Sequence, residues 1–318
     1  MSFITKQRRS FPALKVKRTR RELGLAVWLA VLCIPAFLAA QDTDLRQGAA
    51  PSLRIALSSG SFAGLNHNDV LAAIKTWANV ILKQRAVTTE VETRISDGPE
   101  ELTEAFRNGR TDAASIPTPE FLNMKISSEF VYISNKNNSF TEQYVILVHR
   151  DSGIANAGEL RRRTLLLYNN PRMSLAPAWV ATVLDLPKTE SVRMARADNP
   201  SRTVLPVFFR QTDACVVTLN VFEIACELNP QLRKELRVLA TSPEVVPIVF
   251  VFRPGYVSSE MDKFEAAMLT LHESPAGQQV LTMFQGDKLV KQPVSCLESS
   301  RQILEARAVF SVATEKNR

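Results

Sequence analysis

Few residues of this chain have the type and spacing that chemistry requires, and those few favour binding over catalysis. The histidines, His67, His149 and His272, stand apart, without His-x-x-x-His or Cys-x-x-Cys company, so no metal site is expected. Cys215, Cys226 and Cys296 match no metal spacing either. There is no Gly-x-Ser-x-Gly, no His-Glu-x-x-His and no full phosphate-binding loop ending in Gly-Lys-Ser/Thr. Nucleophilic catalysis needs a Ser or Cys beside a base. A Cys–His pair such as Cys215 with His149 stays open for it, but a buried structural cysteine is the favoured reading of Cys215. The sequence therefore implies no enzyme and no cofactor. Ser58-Ser59-Gly60-Ser61-Phe62 is more suggestive. It could present hydroxyls and backbone N–H groups to an anion, with Gly60 permitting close approach of the backbone. A plain Gly/Ser turn explains the same residues.

The chain that carries this loop has 318 residues and a formal net charge of +7, all of it in the first forty residues. Eight bases there face a single acid, Glu22, and 31 bases and 31 acids follow. The remainder is neutral, so charge gives no argument for a nucleic-acid partner. A basic run followed by apolar Leu23–Ala40 has the pattern of a secretory signal peptide, with Leu38-Ala39-Ala40 before Gln41 as the exit. An uncleaved N-terminal membrane anchor is the alternative. Either way the positive flank stays cytoplasmic and the rest is exported. Bulky Leu32 argues against a lipoprotein role for Cys33, and Glu22-Leu23 continues a twin-arginine motif poorly. Three cysteines remain after the leader, so at least one thiol is unpaired, and a Cys215–Cys226 bridge stays open.

Residues 41–51 are small and polar, a linker into the folded part. About 278 residues follow the leader, enough for one large or two medium α/β domains. Strand-like runs are Leu53–Leu57, Thr89–Ile95, Asp112–Ile116, Tyr144–Val148, Thr164–Tyr168, Ser191–Met194, Asp213–Val217, Leu236–Ala240 and Ile248–Phe252. Helical spacing marks Asn68–Lys83, a short helix from Asp97-Gly-Pro-Glu100 to Asn108, Leu175–Leu184 and Arg202–Phe209. It returns over Ser259–Glu273, Ala276–Phe284 and Cys296 to about Val309. A short surface helix is expected at Gly158-Glu-Leu-Arg-Arg. Strands alternating with helices predict mostly parallel sheets, and near-continuous apolar strands predict sheets covered on both faces.

The order of these pieces resembles the phosphate/phosphonate-type solute-binding proteins of ABC transporters. The segments that carry the resemblance are Leu53-Arg-Ile-Ala-Leu57, Thr111-Asp-Ala-Ala-Ser-Ile-Pro, Tyr144 to Arg161, Gln211-Thr-Asp-Ala-Cys-Val-Val, Leu236-Arg-Val-Leu-Ala-Thr-Ser-Pro and Val246 to Gly255. Val148-His-Arg-Asp-Ser-Gly-Ile with Gly158-Glu-Leu-Arg is the most specific of them, and together they span about residues 52 to 290. The resemblance implies an α/β, two-lobed periplasmic-binding-protein fold of type 2 with two crossing segments and ligand in the cleft. Residues 51–145 plus 245–318 would form lobe 1, and 146–244 lobe 2. Ligands in such sheets sit at the carboxyl ends of the strands.

The family's second lobe usually grips its anion with a Ser-Thr-Ser-Gly run. Here the position reads Asn169-Asn170-Pro-Arg172-Met-Ser174-Leu-Ala-Pro177. Ser174 is the one hydroxyl left, Arg172 could supply charge-assisted hydrogen bonds, and Asn170 lies beside them. A simple chain turn with a solvated Arg172 is the other reading. The first lobe adds Ser58, Ser59, Gly60 and Ser61, with Ser115 and Thr118 after the third strand. Asp112 and Asp213 open strands in the family's Asp-Ala pattern, which favours structural roles, although Asp213 could face a ligand amine. Asn220 starts the following helix, as a ligand contact or as its cap. The resemblance thus implies a periplasmic protein that captures a small, anionic, phosphate- or phosphonate-like solute for an ABC permease. The alternatives are a ligand-sensing receptor for a membrane signalling protein, an enzyme on the same fold, or a scaffold protein that has lost ligand binding.

Overall fold

The computed structural model describes residues 52–62, 66–83, 85–186 and 194–315. The expected leader and linker lie outside these residues, as does the start of the strand expected at Ser191. In chain order the first part comprises β1 (Ser52–Ser58), α1 (His67–Trp77), β2 (Glu90–Ser96), α2 (Pro99–Arg107), β3 (Ala113–Pro117), α3 (Thr118–Met124) and β4 (Phe130–Asn135). The middle comprises β5 (Tyr144–His149), β6 (Leu165–Tyr168), α4 (Ala176–Val183), β7 (Met194–Ala197), α5 (Pro200–Phe208), β8 (Ala214–Thr218), α6 (Leu219–Leu228), α7 (Gln231–Glu235) and β9 (Leu236–Thr241). The chain closes with β10 (Ile248–Phe252), α8 (Met261–Leu269), α9 (Pro275–Met283), β11 (Lys288–Pro293) and α10 (Glu298–Glu315).

The strands form two sheets, ordered β11-β4-β10-β3-β1-β2 and β7-β6-β8-β5-β9. Each is covered on both faces, as the apolar runs require. β1 sends Leu53, Ile55 and Leu57 into one core with helices α1, α8 and α9, while Ala56 on the other face joins Leu102, Ile116 and Phe121. β5, buried at every position, alternates likewise. Tyr144, Ile146 and Val148 meet Trp179, and Val145 and Leu147 meet Cys215, Val217 and Phe222. The cysteines at 215, 226 and 296 are free thiols, with Cys215 and Cys226 in that last core.

The sheets are mixed rather than mostly parallel. β1 pairs parallel with β2 and β3, and β6 with β7 and β8, but β10 and β5 run antiparallel to their neighbours. The cause is the crossing geometry. The chain enters β5 beside the end of β8 (Tyr144 opposite Thr218) and β10 beside the end of β3 (Ile248 opposite Pro117), so each must run backwards. Two further strands, β4 and β11, pair antiparallel at the far side of the first sheet, where β11 is an edge strand carrying two lysines and ending in Pro293. The helix expected over Asn68–Lys83 is α-helical only to Trp77 and then widens into a π turn over Ala78–Leu82. The short helix near Asp97 is capped by Gly98 rather than by an Asp97 side chain, and Gly109, at φ +61°, turns the chain after it.

The crossing segments, 136–143 and 242–247, therefore lie at the carboxyl edge of the parallel strands in both sheets. They are clamped to one another: Glu142 N–H donates to Val245 O (2.7 Å) and Val245 N–H to Glu142 O (2.9 Å). The Pro247 carbonyl accepts from Thr118 N–H (2.9 Å) on one side and from the Ser174 hydroxyl (3.1 Å) on the other. The C-terminal helix ties both layers at this level. Leu297, just before α10, packs with Ile116 and Val246, the Ser300 hydroxyl accepts from Val246 N–H, and Ile303 packs with Trp179.

Candidate functional site

At this shared edge the two sheets face a polar cavity of about 370 Å³. Its first wall is Ser61, Ile248, Met283, Phe284 and Gln285; its second is Tyr168, Asn169, Asn170, Pro171, Arg172 and Asp198. The second wall exists because β6 ends at Tyr168 and Pro171 starts a single 3-10 turn, Pro171–Met173. Asn170 caps that turn, its Oδ1 accepting from Arg172 N–H (2.9 Å). The Asn170 amide then donates to Tyr168 Oη (3.2 Å) and across the cleft to Gln285 Oε1 (3.4 Å). The capping oxygen fixes the amide flip, leaving Nδ2 as the donor toward the cavity.

Arg172 is 8% exposed. Its Nε donates to Glu142 in a close ion pair, and Nη1 reaches the Gln285 carbonyl (3.4 Å). The Tyr144 hydroxyl, inside the second core, donates to the Arg172 carbonyl (2.8 Å) and holds the turn from beneath. Arg172 thus lines the polar cavity with a buried guanidinium, a group whose planar N–H donors match the geometry of oxyanions. Its charge is offset on one side by Glu142. At the rim Asn169 accepts from Arg196 (3.1 Å) and donates to exposed Asp198 (3.4 Å). The cavity is therefore zwitterionic, with amide and hydroxyl donors between.

Of the residues singled out by sequence, Ser61, Asn170 and Arg172 meet in this cavity. Arg172 is not the solvated side chain of the simple-turn reading. Ser115 lies one layer deeper, its carbonyl accepting from the Ser61 hydroxyl (3.4 Å). Ser58 is engaged elsewhere, donating to Glu120 in the first turn of α3 (2.7 Å). Burial pushes the Glu120 carboxyl above its usual range despite that hydrogen bond. Gly60 lies close against this carboxyl, since a Cβ there would stand 2.8 Å from Glu120 Oε1 and 3.1 Å from Pro117 Cγ and would make the Glu120 carboxyl shift. Ser59 is half-buried, and neither it nor Gly60 lines the cavity. Thr118 is fully buried, and its hydroxyl finds no hydrogen-bond partner among the described residues. Ser174 donates to Pro247 and serves the hinge.

Two expected contacts lie elsewhere. Asp213 precedes β8 at the strand's other end, about 16 Å of strand from the cleft. It accepts from Thr164 N–H (2.9 Å), the Thr164 hydroxyl (2.7 Å) and Arg163 (3.1 Å). Burial raises its carboxyl, but those donors and the Arg163 charge together hold it below the usual range, so it ties two strands and is not free for an amine. Asn220 lies in the first turn of α6, outside the cavity lining, and the cap is Thr218, whose hydroxyl accepts from Val221 N–H (3.2 Å). Asp112 likewise holds β1 and the chain after β10 together through Arg54 and Arg253. Sequence reasoning missed Tyr168 and Asn169, which adjoin Asn170, and Asp198, which follows β7 and joins the site through Asn169. It also missed Phe284-Gln285, whose signal is the end of α9, with Gln285 at φ +54°. His149 and Cys215 do not form a nucleophilic pair, since His149 binds Asp151 N–H and Arg210, and the Cys215 thiol is wholly buried in the core.

Residues 65–292 match the family of phosphonate periplasmic substrate-binding proteins of ABC transporters. No curated protein sequence matches the chain. Among solved structures, a binding-protein component of an ABC phosphonate transporter from Pseudomonas aeruginosa has a TM-score of 0.55 at 14% identity, covering 83% of this chain and 89% of its own. PhnD1 from Prochlorococcus marinus, in complex with methylphosphonate, has a TM-score of 0.52 at 14% identity, with 79% and 96% covered. A Xanthomonas citri protein bound to chloride has a TM-score of 0.56 at 15% identity, with 83% and 99% covered. These likenesses are of fold, and the type 2 two-lobed architecture is common to them. Among the described residues no helix is long and apolar enough to cross a membrane. With nearly three quarters of its length matched, the chain belongs to the periplasmic substrate-binding proteins of phosphonate-type ABC transporters and captures a solute for such a transporter.

Proposed function

We propose that the captured solute is a small organic oxyanion of the phosphonate class, held between the lobes in the cavity at Arg172. The observation that carries this reading is the buried Arg172 guanidinium at the meeting point of both walls and the crossing segments. Tyr168 Oη lies beside it, and the Asn170 amide and Ser61 hydroxyl, which in this structure donate to Tyr168, Gln285 and the Ser115 carbonyl, would exchange those partners for the head group. In the relatives' usual pattern hydroxyls and backbone amides grip the anion; here a guanidinium takes their place. Residues on both walls would close on the ligand, a hinge motion about 136–143 and 242–247 that a membrane permease reads. The leader is cleaved after Ala40 in this reading, so that the mature protein starting at Gln41 moves freely in the periplasm.

Calorimetric titration of the exported protein with methylphosphonate, phosphate, sulfate and glycine tests the ligand class. Methylphosphonate should bind, and Arg172→Met should weaken it by at least tenfold, because a charge-assisted hydrogen bond contributes about 1.5–3 kcal/mol. Glycine binding in preference to every oxyanion, or an Arg172→Met variant that binds as tightly as the parent, would refute the reading.

A further inference from the structure

Behind Arg172 a second space opens inside the first lobe, between the sheet and helices α1, α8 and α9. It measures about 80 Å³. Ile248, Phe284 and Arg172 line both this chamber and the polar cavity, so the two spaces meet at those side chains. Beyond the mouth the walls are apolar, with Tyr132, Phe250, Val280 and Leu289 among them. Ser115 and Ser134 supply the few polar atoms, and the Ser134 hydroxyl already reaches the Phe284 carbonyl (3.4 Å). Protein cores pack to crystal density, so an apolar space of this size is an exception. Ordered water is poorly suited to it, since a buried water needs two to four polar partners.

We propose that the ligand carries, beside its anionic head at Arg172, a short apolar arm that enters this chamber past Ile248 and Phe284. The proposal rests on the anion reading above and adds the part of the ligand that reading leaves undefined. A dry cavity of about 150 Å³ admits benzene. One of 80 Å³ therefore suits an unbranched arm of about two to four carbons. The head stays where the donors are, and the arm replaces empty space with close contacts, so specificity comes from chain length.

The test is calorimetric titration of the exported protein with methyl-, ethyl-, propyl-, butyl- and octylphosphonate. Affinity should rise about fourfold per added methylene, the value of burying one CH₂, reach a maximum at three or four carbons, and fall for octyl. Val280→Phe, which fills the chamber, should erase the rise, and Leu289→Ala, which enlarges it, should move the maximum to a longer chain. Methylphosphonate binding with flat or falling affinity along the series overturns the arm and leaves the anion reading intact. Failure of every phosphonate to bind overturns both. Because the chain-length series is read on the parent protein, it decides the matter even where a variant fails to fold.

Discussion

Replacing Glu142 by Gln should tighten the binding of an anion while weakening the empty protein. Glu142 and Arg172 form a close ion pair with side chains 12% and 9% exposed, and Arg172 lines the cavity. A head group bound on the guanidinium's other face would lie about 7 Å from the Glu142 carboxylate, a repulsion of about 2.4 kcal/mol at an effective dielectric near 20. Removing it would tighten binding about fiftyfold, at 1.4 kcal/mol per factor of ten; partial solvent screening brings that to about tenfold. Glutamine keeps an acceptor for Arg172 Nε, so the empty protein loses the charge-assisted part of one hydrogen bond, about 1–2 kcal/mol. The assay pairs urea unfolding without ligand with titration of methylphosphonate, both at low and at moderate salt. Lower stability with higher affinity, the gain shrinking as salt rises, is the expected pattern. Affinity that is unchanged or reduced in Glu142→Gln would show that the ligand carries no net negative charge at this point, and the placement of its head at Arg172 would be wrong.

Other parts of the molecule give simpler outcomes. Asp112→Ala should cost about 1–3 kcal/mol in urea unfolding, because it removes the acceptor of Arg54 and Arg253 at a site that is 1% exposed, while the two arginines, 37% and 27% exposed, stay partly solvated. Burial raises the Asp112 carboxyl, but the hydrogen bonds from Arg54 and Arg253 outweigh it and lower its pKa. Its stabilisation is thus present above the usual carboxylate range and lost as pH falls through the lowered folded value, a loss that an acid titration of Asp112→Asn should lack. Glu120 has the opposite sign: its raised carboxyl destabilises the fold as pH rises through it, so Glu120→Gln should raise Tm at pH 7 and leave it unchanged at pH 3. Burial also pushes up the Cys215, Cys226 and Cys296 thiols, the last to about 11. Iodoacetamide at pH 8 should therefore modify none of the three in the folded protein and all three in urea, as counted by mass.

The elements were legible wherever one periodicity dominated. Tyr144–Val148 and Ile248–Phe252 are apolar throughout and proved to be interior strands, the first buried at every position and the second alternating between buried and half-buried. Their direction was not legible, because it follows from where the crossing segments deliver the chain and not from any local pattern. The site was legible by half. Asn170 and Arg172 stood out because a hydroxyl run expected there was missing. Ser58 stood out as well, yet its hydroxyl is taken by Glu120, a residue 62 positions away that no local reading connects to it. Asp213 misled for the same reason, since an acid that opens a strand cannot be told from one that faces a cleft until its partners Arg163 and Thr164 are in view.

In the proposed reading a guanidinium stands in for hydroxyls, and that would change what the cleft can discriminate. A ring of hydroxyls and amides donates one hydrogen bond per group and can count the oxygens of a head group, whereas a guanidinium answers charge and planarity with a paired fork. Here Glu142 and Gln285 hold two of that fork's donor positions, which fixes its plane and limits it to the head group's nearest oxygens. Discrimination by the head would then be coarse, with phosphonate, phosphate and sulfate differing less in affinity than they would on a hydroxyl ring. The same turn that carries Arg172 also contacts both hinge segments, through Glu142 and, by way of Ser174, through Pro247. In the proposed reading, a ligand that drew Arg172 toward itself would pull on both crossings at once and couple binding to lobe closure through this one turn. Cutting the Ser174 link with Ser174→Ala should loosen that coupling. In small-angle scattering with methylphosphonate, the change in radius of gyration on binding should shrink while the affinity shifts by less than about tenfold, the range of a single neutral hydrogen bond. An unchanged scattering difference would place the coupling elsewhere in the hinge.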